Sequence, residues 1–525
     1  MNDPASNPAV EWRPRANPWL IALAVMLATF MVILDTSIAV VALPYIAGNL
    51  GATQDESTWV LTSYLVANAI VLPASTWLSS FFGRKRFLIG CTIMFTAASL
   101  LCGLATSMTM LVAARVLQGL GGGAMQPLSQ AILLESFPPA KRGAATALFG
   151  IAIVVAPILG PTLGGWLTDN WSWRWTFYIN LPVGVLAFFL MSWLVEDPPY
   201  IRDKRPGRID GIGLALVALF LGTLQIILDK GQDADWFSAV WLRWFTVISA
   251  LSLVGFIARE LWTDHPIVDL HVFKNRNFTV SCVLFGLFGM MLYALITIQP
   301  LFLQSLLGYT AFDAGLSVSP RGFGAFVALF FVGALVGRVD SRLLAGFGFA
   351  VMGLSSFLLC RLSLQMAMIS VVPANILAGF ATGCLFVPLT TLGVGTLRNE
   401  QIGNAVALSN LVRNIGGSIG LSLVATLQER FSQVHQALMV GQLSPLNPQY
   451  QQKIGLLQNV FEQRFSPADS LARARGQLYH TLLQQSDYWA FIDLFFLVAC
   501  LCAAGVLAVP FFEKPRSVHA VAAAD

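Results

Sequence analysis

Long apolar runs separated by short polar stretches follow one another along almost the whole chain. A run of about 20 apolar residues is long enough to cross the hydrocarbon core of a bilayer as one helix. About fourteen such runs can be distinguished, so the pattern predicts an all-α polytopic membrane protein. The predicted spans lie near residues 18–43, 58–82, 87–107, 109–134, 143–167, 176–195, 211–229, 237–258, 278–303, 311–336, 344–364, 367–390, 402–427 and 487–511.

A second regularity is an internal duplication with an offset of 260 residues. Parallel repeats of helix bundles that enclose a site near the membrane midplane are typical of secondary transporters. Because six spans take only roughly 190 to 200 residues, the offset leaves room for an inserted helix pair. The repeated positions are Arg115, Gly119, Gly123, Gly143 and Gly160, which align with Asn375, Gly379, Gly383, Gly403 and Gly420.

The duplication and the spans together predict two six-helix bundles plus an inserted pair, which makes fourteen transmembrane helices. A count of thirteen spans is the alternative, and it would place the C-terminus outside. The predicted segments are a cytoplasmic tail over 1–17, a first bundle over 18–196, cytoplasmic linkers with the inserted pair over 197–277, a second bundle over 278–512 with a periplasmic helical loop at 428–485, and a cytoplasmic tail over 513–525.

Lysine and arginine are concentrated in the loops on one side of these spans. The short loops of the opposite side hold only Arg174, Lys230, Arg243 and Arg361. Cytoplasmic loops of membrane proteins carry the positive excess, so both termini are predicted to be cytoplasmic. The net charge of +4 follows from this topology and gives no reason to expect a nucleic-acid partner.

Composition argues against several other classes of protein. With 56% hydrophobic and 11% charged residues, the chain is unlike a soluble globular protein. No lysine directly follows a glycine, so a Walker A phosphate loop and ATP-driven transport are excluded. The cysteines lie in apolar spans and the histidines are scattered, so no metal site and no enzyme active site are predicted.

The strongest local signal is the sequence LVAARVLQGLGGG at 111–123. An arginine helix followed by Gln-Gly and small residues resembles motif B of the major facilitator superfamily. On the fifth span, Gly160, Pro161, Gly164 and Gly165 resemble motif C of the same family, which is associated with antiporters. Their glycines and prolines also predict a bendable, closely packed helix seam, or simple helix packing.

Two further sequences, at 34–44 and 173–182, resemble signatures of the 14-helix drug:proton antiporter branch and its EmrB-type inner-membrane efflux subunits. The resemblance covers nearly the whole chain and implies the major facilitator fold in a bacterial inner membrane. It implies a proton-coupled antiporter that exports hydrophobic or amphipathic compounds by alternating access without a cofactor. A periplasmic membrane-fusion adaptor and an outer-membrane channel are the implied partners. The alternative on the same fold is a dedicated exporter or importer of a single metabolite.

The loop between the second and third spans departs from the family pattern. It retains the gating-loop residues Gly83, Arg84 and Lys85, whereas Thr76, Ser80 and Phe81 stand where the family has Gly, Asp and Arg. A charge latch that uses the missing aspartate is therefore not expected. Inner-loop gating is predicted to depend on different contacts.

Asp35 is the sharpest candidate for proton coupling, because an ionisable group at membrane depth is costly and usually faces a partner or a cavity. It lies on a stripe of small residues of the first span, so it is predicted to face protein. Arg115 on the fourth span lies at a similar depth, roughly 9–12 Å below the outer surface at 1.5 Å per residue. The two can pair, either for proton coupling or as a permanent tie between two helices.

Further polar groups at membrane depth are candidates for a substrate cavity. Three intramembrane arginines against two aspartates leave the region net positive, which suits lipophilic weak acids better than cations. Helix packing through backbone carbonyls is the alternative for two of these arginines. The cavity candidates are Asn68, Gln118, Gln126, Arg321, Arg413 and Asp493.

The hydrophilic segment 428–485 is predicted to contain two amphipathic helices with a turn at Ser466. Ser466, Pro467 and Asp469 supply the cap, first-turn proline and N3 acid of a helix start. The apolar stripes of the two helices need a partner, which is either the other helix of the pair or the periplasmic adaptor.

Overall fold

The computed structural model describes residues 14–138, 141–197, 210–263, 268–335, 338–397 and 399–513. The predicted cytoplasmic tails, 1–17 and 513–525, lie almost entirely outside these residues. Residues 198–209 and 264–267 of the predicted cytoplasmic linkers also lie outside them. The described residues form eighteen α-helices. Their bounds are α1 Pro18–Leu50, α2 Gln54–Phe82, α3 Arg84–Gly103, α4 Met108–Gly122, α5 Met125–Ser136, α6 Arg142–Asn170, α7 Trp175–Tyr178, α8 Asn180–Leu194, α9 Gly211–Lys230, α10 Val240–Trp262, α11 Arg276–Ser305, α12 Ala311–Val318, α13 Pro320–Leu335, α14 Ser341–Leu359, α15 Val372–Val394, α16 Asn399–Val440, α17 Pro448–Glu462 and α18 Pro467–Ala508.

Within the described ranges, 12 helical segments are long and apolar enough to cross a membrane. Two predicted spans are not among them, although both lie in helices. The span 109–134 is divided between α4 and α5, and 402–427 lies in α16, whose polar residues lower its hydropathy. The all-α membrane fold is therefore confirmed, and the count of fourteen crossings stays a prediction.

The division of the fourth span corrects the expectation of one continuous helix. The break follows Gly121, Gly122 and Gly123, and glycine is a poor helix former. The same run lets α4 approach its neighbours closely, because a Cβ on Gly121 would lie 2.8 Å from the Phe95 nitrogen of α3. The run of three glycines therefore accounts both for the close packing and for the break.

Helix packing repeats between the two parts of the chain. In the first part, α1 packs on α6, and α4 packs on both α2 and α3. In the second part, α11 packs on α16, and α15 packs on both α13 and α14. These pairings follow the sequence offset, since the aligned Gly160 and Gly420 lie on α6 and α16. The packing therefore agrees with the internal duplication.

The inserted helices α9 and α10 pack on each other, and α9 also contacts α2 and α16. Thr62 of α2 donates to the carboxylate of Asp229, and Lys230 Nζ donates to Thr58 Oγ1 at 2.5 Å. On the other side, Ser418 Oγ donates to Gln225 Oε1 at 2.8 Å. The insertion therefore connects the two repeated parts along one side of the molecule.

The helical hairpin predicted within 428–485 is present. Ser466 caps α18 by accepting a hydrogen bond from the Asp469 nitrogen at 3.3 Å. Beyond the prediction, α16 continues outward to Val440 and α18 runs without a break into the last span. Ser470, Ala474, Leu478 and Leu482 of α18 are buried, and α17 packs on α18. The two amphipathic helices are therefore partners of each other.

Candidate functional site

Asp35 and Arg115 form a buried ion pair between α1 and α4. Arg115 Nη1 donates to Asp35 Oδ2 at 2.5 Å, and neither side chain is exposed. Arg115 Nε also donates to the Val60 carbonyl of α2 at 2.8 Å. The structure therefore brings together the two residues of the predicted proton-coupling site.

Two amides complete the surroundings of the carboxylate. Gln118 Nε2 donates to Asp35 Oδ1 at 2.9 Å, and Asn180 Nδ2 of α8 donates to the same oxygen at 2.7 Å. Gln118 Oε1 accepts a bond from Arg115 Nη1 at 2.7 Å, so its amide orientation is fixed from both ends. The arrangement can hold an anion in the membrane while α1 and α4 stay together.

Aromatic rings enclose the guanidinium. The Cζ atom of Arg115 lies 4.3 Å from the centre of the Tyr64 ring and 5.6 Å from that of Phe177. A Cβ on Gly119, one turn after Arg115, would overlap the Tyr64 backbone, so α2 and α4 are in direct contact here. The pair is thus shielded from water in this conformation.

The glycine motif of α6 packs against α1 next to Asp35. Ser37 Oγ donates to the Pro157 carbonyl at 2.9 Å, and a Cβ on Gly160 would collide with Ser37. One turn further, a Cβ on Gly164 would lie 3.2 Å from the Ile38 carbonyl oxygen. These glycines allow α6 to follow any movement of α1 closely.

The other two members of the motif point elsewhere or are not described. A Cβ on Gly165 would have only an ordinary 3.8 Å contact with the Phe312 nitrogen of α12, in the second repeated part. The side chain of Pro161 lies outside the described residues. The motif therefore contacts α1 through two glycines and faces the second part through a third.

The second repeated part holds a different buried arginine. Arg321 of α13 donates from Nη2 to Gln299 Oε1 at 2.9 Å and to Asn375 Oδ1 at 3.2 Å. Arg413 of α16 donates to the Asn414 side chain at 3.5 Å, and its Cζ lies 6.0 Å from the Phe386 ring centre. Within the described ranges neither arginine pairs with a carboxylate. The packing alternative predicts that these arginines donate to backbone carbonyls. No such bond from either side chain is found among the described hydrogen bonds.

The remaining cavity candidates do not form one cluster. Asn68 Nδ2 donates to the Tyr64 hydroxyl at 3.4 Å, close to Arg115. The buried Gln126 Nε2 has no described partner. Asp493 pairs with His435 Nε2 at 2.8 Å, and its side chain is 43% exposed, so it lies apart from the other candidates. The extension of α16 to Val440 brings His435 to it, so Asp493 forms a contact between α16 and α18.

The gating loop makes contacts that replace the missing family aspartate. Gly83 has a φ of 85°, a backbone conformation that favours glycine. Lys85 donates from its backbone nitrogen to Asp197 Oδ1 at 2.8 Å and from Nζ to the Ser192 carbonyl at 2.7 Å. Arg84 pairs with Glu135 at the end of α5. The acidic partners of this loop are therefore Glu135 of α5 and Asp197 of the segment after α8.

Contacts between the two repeated parts occur at the predicted cytoplasmic ends of α5 and α16, and also between α6 and the helices α12, α13 and α15. Leu134 packs with Ile402 and Val406, and Asn410 Nδ2 donates to Gln130 Oε1 at 2.9 Å. These contacts hold the predicted inner ends of α5 and α16 together in this conformation.

Sequence reasoning missed Asn180 and Tyr64 as members of the site. Asn180 lies inside the sequence 173–182 that carries the family resemblance, and it is a lone amide at the start of an apolar span. That isolation is a usable signal, because a buried amide needs partners. Tyr64 gives no such signal, since an aromatic residue in an apolar span is ordinary.

Sequence comparisons identify the family of this chain. A profile of the Major Facilitator Superfamily matches residues 25–421. The chain is 39% identical over 443 residues to the multidrug export protein EmrB of Escherichia coli (strain K12), covering 84% of this chain and 86% of that protein. It is 38% identical over 427 residues to the fatty acid resistance protein FarB of Neisseria gonorrhoeae, covering 81% and 83%.

Solved structures share the fold at low sequence identity. The crystal structure of the human organic anion transporter MFSD10 (TETRAN) has a TM-score of 0.57 at 14% identity, covering 93% of this chain and all of that one. A bacterial homologue of the human lysosomal transporter Spinster, inward-facing and unoccupied, has a TM-score of 0.54 at 15% identity, covering 95% and 99%. The chain is therefore a multi-pass membrane transporter rather than an enzyme, and it belongs to the Major Facilitator Superfamily.

Proposed function

We propose that this transporter is a proton-coupled antiporter that exports amphipathic compounds, a multidrug efflux protein working by alternating access. The observation that carries the proposal is the buried pair of Asp35 and Arg115, surrounded by amides and shielded from water. It places a carboxylate at membrane depth, where it would take up a proton from water when the helices around it separate. The relatives named as multidrug export proteins support the same function.

Coupling would depend on the geometry of the pair. In this conformation Asp35 and Arg115 are paired. A movement of α4 relative to α1 would remove the guanidinium and Gln118 together, because both lie on α4. The carboxylate would then be left in a low-dielectric region without its main donors, and binding a proton would relieve that cost. For export by antiport, that proton would enter from the outer side and leave to the cytoplasmic side.

Alternating access would require contacts between the two parts to form and separate in turn. The contacts of Leu134 with Ile402 and Val406 join the two parts at the predicted cytoplasmic side, near the gating loop with Arg84 and Lys85. Opening that side requires these apolar contacts to separate. The glycine contacts of α6 with α1 would link helix movements to Asp35.

The proposed substrates are lipophilic or amphipathic, with weak acids favoured. Arg413 and Arg321 are cations with no paired carboxylate among the described residues, and Phe386 stacks on Phe149 across the two parts with ring centres 6.4 Å apart. The relative FarB is named for fatty acid resistance. A dedicated exporter or importer of a single metabolite is the second candidate, and a panel of substrates distinguishes the two.

The proposed setting is a bacterial inner membrane with both termini in the cytoplasm. The driving force is the proton gradient, and no cofactor takes part. A periplasmic membrane-fusion adaptor and an outer-membrane channel would complete the export route. We place the adaptor contact on the outer face of α17, where Leu456 and Val460 are each 61% exposed.

The test uses inverted membrane vesicles with an acidified interior. Adding a transported compound should raise the internal pH, because protons leave as the compound enters. Asp35→Asn vesicles containing the same amount of inserted protein should show no such change. A substrate-dependent pH change that persists in Asp35→Asn would contradict the proposal.

A further inference from the structure

Arg321 is a fully buried positive charge, and within the described ranges no carboxylate pairs with it. Its side chain is among the largest that the structure buries completely. Its printed partners are the neutral amides of Gln299 on α11 and Asn375 on α15. A buried charge without a counter-charge is unfavourable in any protein and more so at membrane depth. The site therefore has the charge to hold an anion.

The orientation of the two amides is determined by their partners. Asn375 Nδ2 donates to the Ser317 carbonyl at 2.9 Å, so Asn375 Oδ1 faces Arg321. Gln299 Oε1 also faces Arg321, which turns the Gln299 Nε2 group away from the guanidinium. Both amide oxygens are thus occupied by the same arginine.

Two donors remain without a partner. Arg321 Nε and Gln299 Nε2 are buried, and no hydrogen bond to either is found in the described part of the chain. One positive charge, two free N–H donors and occupied acceptors suit an anion and not a cation or a hydrogen-bond donor. Buried polar groups are nearly always bonded, so these donors point to a ligand.

We propose that Arg321, Gln299 and Asn375 form a binding site for one monovalent anion. The ligand is either an inorganic ion of the chloride class or the carboxylate of a lipophilic weak acid. Arg321 supplies the charge and its Nε, and the amide oxygens of Gln299 and Asn375 position the guanidinium. The carboxylate case rests on the proposed export of weak acids, whereas the inorganic ion does not depend on it.

The first experiment measures binding to the full-length protein purified in detergent, without transport. Chloride replaces gluconate at constant ionic strength, and the thermal unfolding temperature is recorded. In separate samples, a lipophilic carboxylic acid and its uncharged primary amide are titrated by calorimetry. Arg321→Gln should lose the response to chloride, or bind the acid roughly tenfold more weakly while binding the amide normally. Loss of the chloride response identifies an inorganic ion as the ligand. Weaker binding of the acid with normal binding of the amide identifies a substrate carboxylate.

A second variant covers the case in which Arg321→Gln does not fold. Gln299→Glu places a carboxylate beside Arg321, as Asp35 stands beside Arg115, so this variant should fold and lose the anion response. Gln225→Glu makes the same chemical change on α9 and should retain that response. Anion responses equal to wild type in both Arg321→Gln and Gln299→Glu, or absent from wild type itself, would overturn the site. Because binding is read without a proton gradient, failure of proton coupling would remain a separate result.

Discussion

Among the described residues, a fully buried arginine lies in each repeated part, and the two arginines have different partners. Arg115 in the first part pairs with Asp35 at 2.5 Å, whereas Arg321 in the second part contacts only amides. The sequence offset does not superpose these arginines, since Asn375 is the residue aligned with Arg115. Asn375 nevertheless serves the second site by bonding Arg321.

The difference supports the proposed division of tasks between the two bundles. The first part contains a buried carboxylate beside an arginine. The second part has a buried arginine and no carboxylate partner among its described contacts. We therefore propose proton coupling in the first part and anion recognition in the second, although the helix packing of the two is alike.

The largest expected effect comes from making the first site resemble the second. Asp35→Asn leaves Arg115 with amides only and should abolish accumulation of substrate against a gradient. One charge moving through 100 mV is worth ~2.3 kcal/mol, which sustains a gradient of roughly fifty-fold at ~1.4 kcal/mol per decade. That gradient should fall to one in vesicles that contain normally inserted protein. Accumulation driven by protons alone in Asp35→Asn would make the aspartate purely structural.

Changing the arginine should have the next largest effect. Arg115→Ala leaves Asp35 buried without its counter-charge, and breaking a buried pair in this way costs about 3–5 kcal/mol. Arg115→Lys keeps the charge but loses the simultaneous bonds to Asp35, Gln118 and the Val60 carbonyl. Transport should be lost in the first variant and reduced in the second, with a shifted pH dependence. An unaltered pH profile of transport in Arg115→Lys would argue against coupling through this pair.

A comparison of aligned glycines separates packing from coupling. Gly160 contacts Ser37 of α1, and Gly420 contacts Met290 of α11, each too closely for a Cβ. Alanine at either position should destabilise the protein by about 1–3 kcal/mol. Only Gly160→Ala, beside Asp35, should also shift the pH dependence of transport. Gly165→Ala, where the nearest atom is 3.8 Å away, is the matched mild control. Equal pH profiles of transport for all three variants would show that the contact of α6 with α1 does not take part in proton coupling.

The smallest effect on transport concerns the outer helices, which interrupt the second part alone. Leu456→Ser with Val460→Ser changes an exposed apolar face of α17 that has no buried residue. Co-purification of the periplasmic adaptor should decrease, while substrate transport by the isolated protein stays at the wild-type level. Adaptor recovery unchanged in the double variant would remove this face from the contact.

Much of the fold can be predicted from the sequence because most membrane helices correspond to long apolar runs. The pairing of Asp35 with Arg115 could also be predicted, since each is a lone charge on a polar or small-residue stripe at similar depth. The contribution of Asn180 depends on how α8 is rotated against α1, and apolar periodicity does not determine that rotation. Such contacts arise from packing between distant segments.

Two details of the structure lie outside the local sequence pattern. The fourth span is divided near the glycines 121–123, although these glycines also serve close packing and do not by themselves predict a break. The partner of Asp493 is His435, which the continuation of α16 to Val440 carries to it. The length of that continuation decides the contact, and the apolar run around Asp493 does not determine it.

The most direct test of proton coupling by Asp35 is proton release from the purified protein. Wild-type protein in weakly buffered detergent solution receives a transported compound, and a pH indicator records protons released on binding. The account predicts release from wild type, none from Asp35→Asn, and normal release from Asp229→Asn. Asp229 lies on the inserted helix α9, and its carboxylate accepts a hydrogen bond from Thr62 of α2. Equal release from Asp35→Asn and wild type would contradict the account.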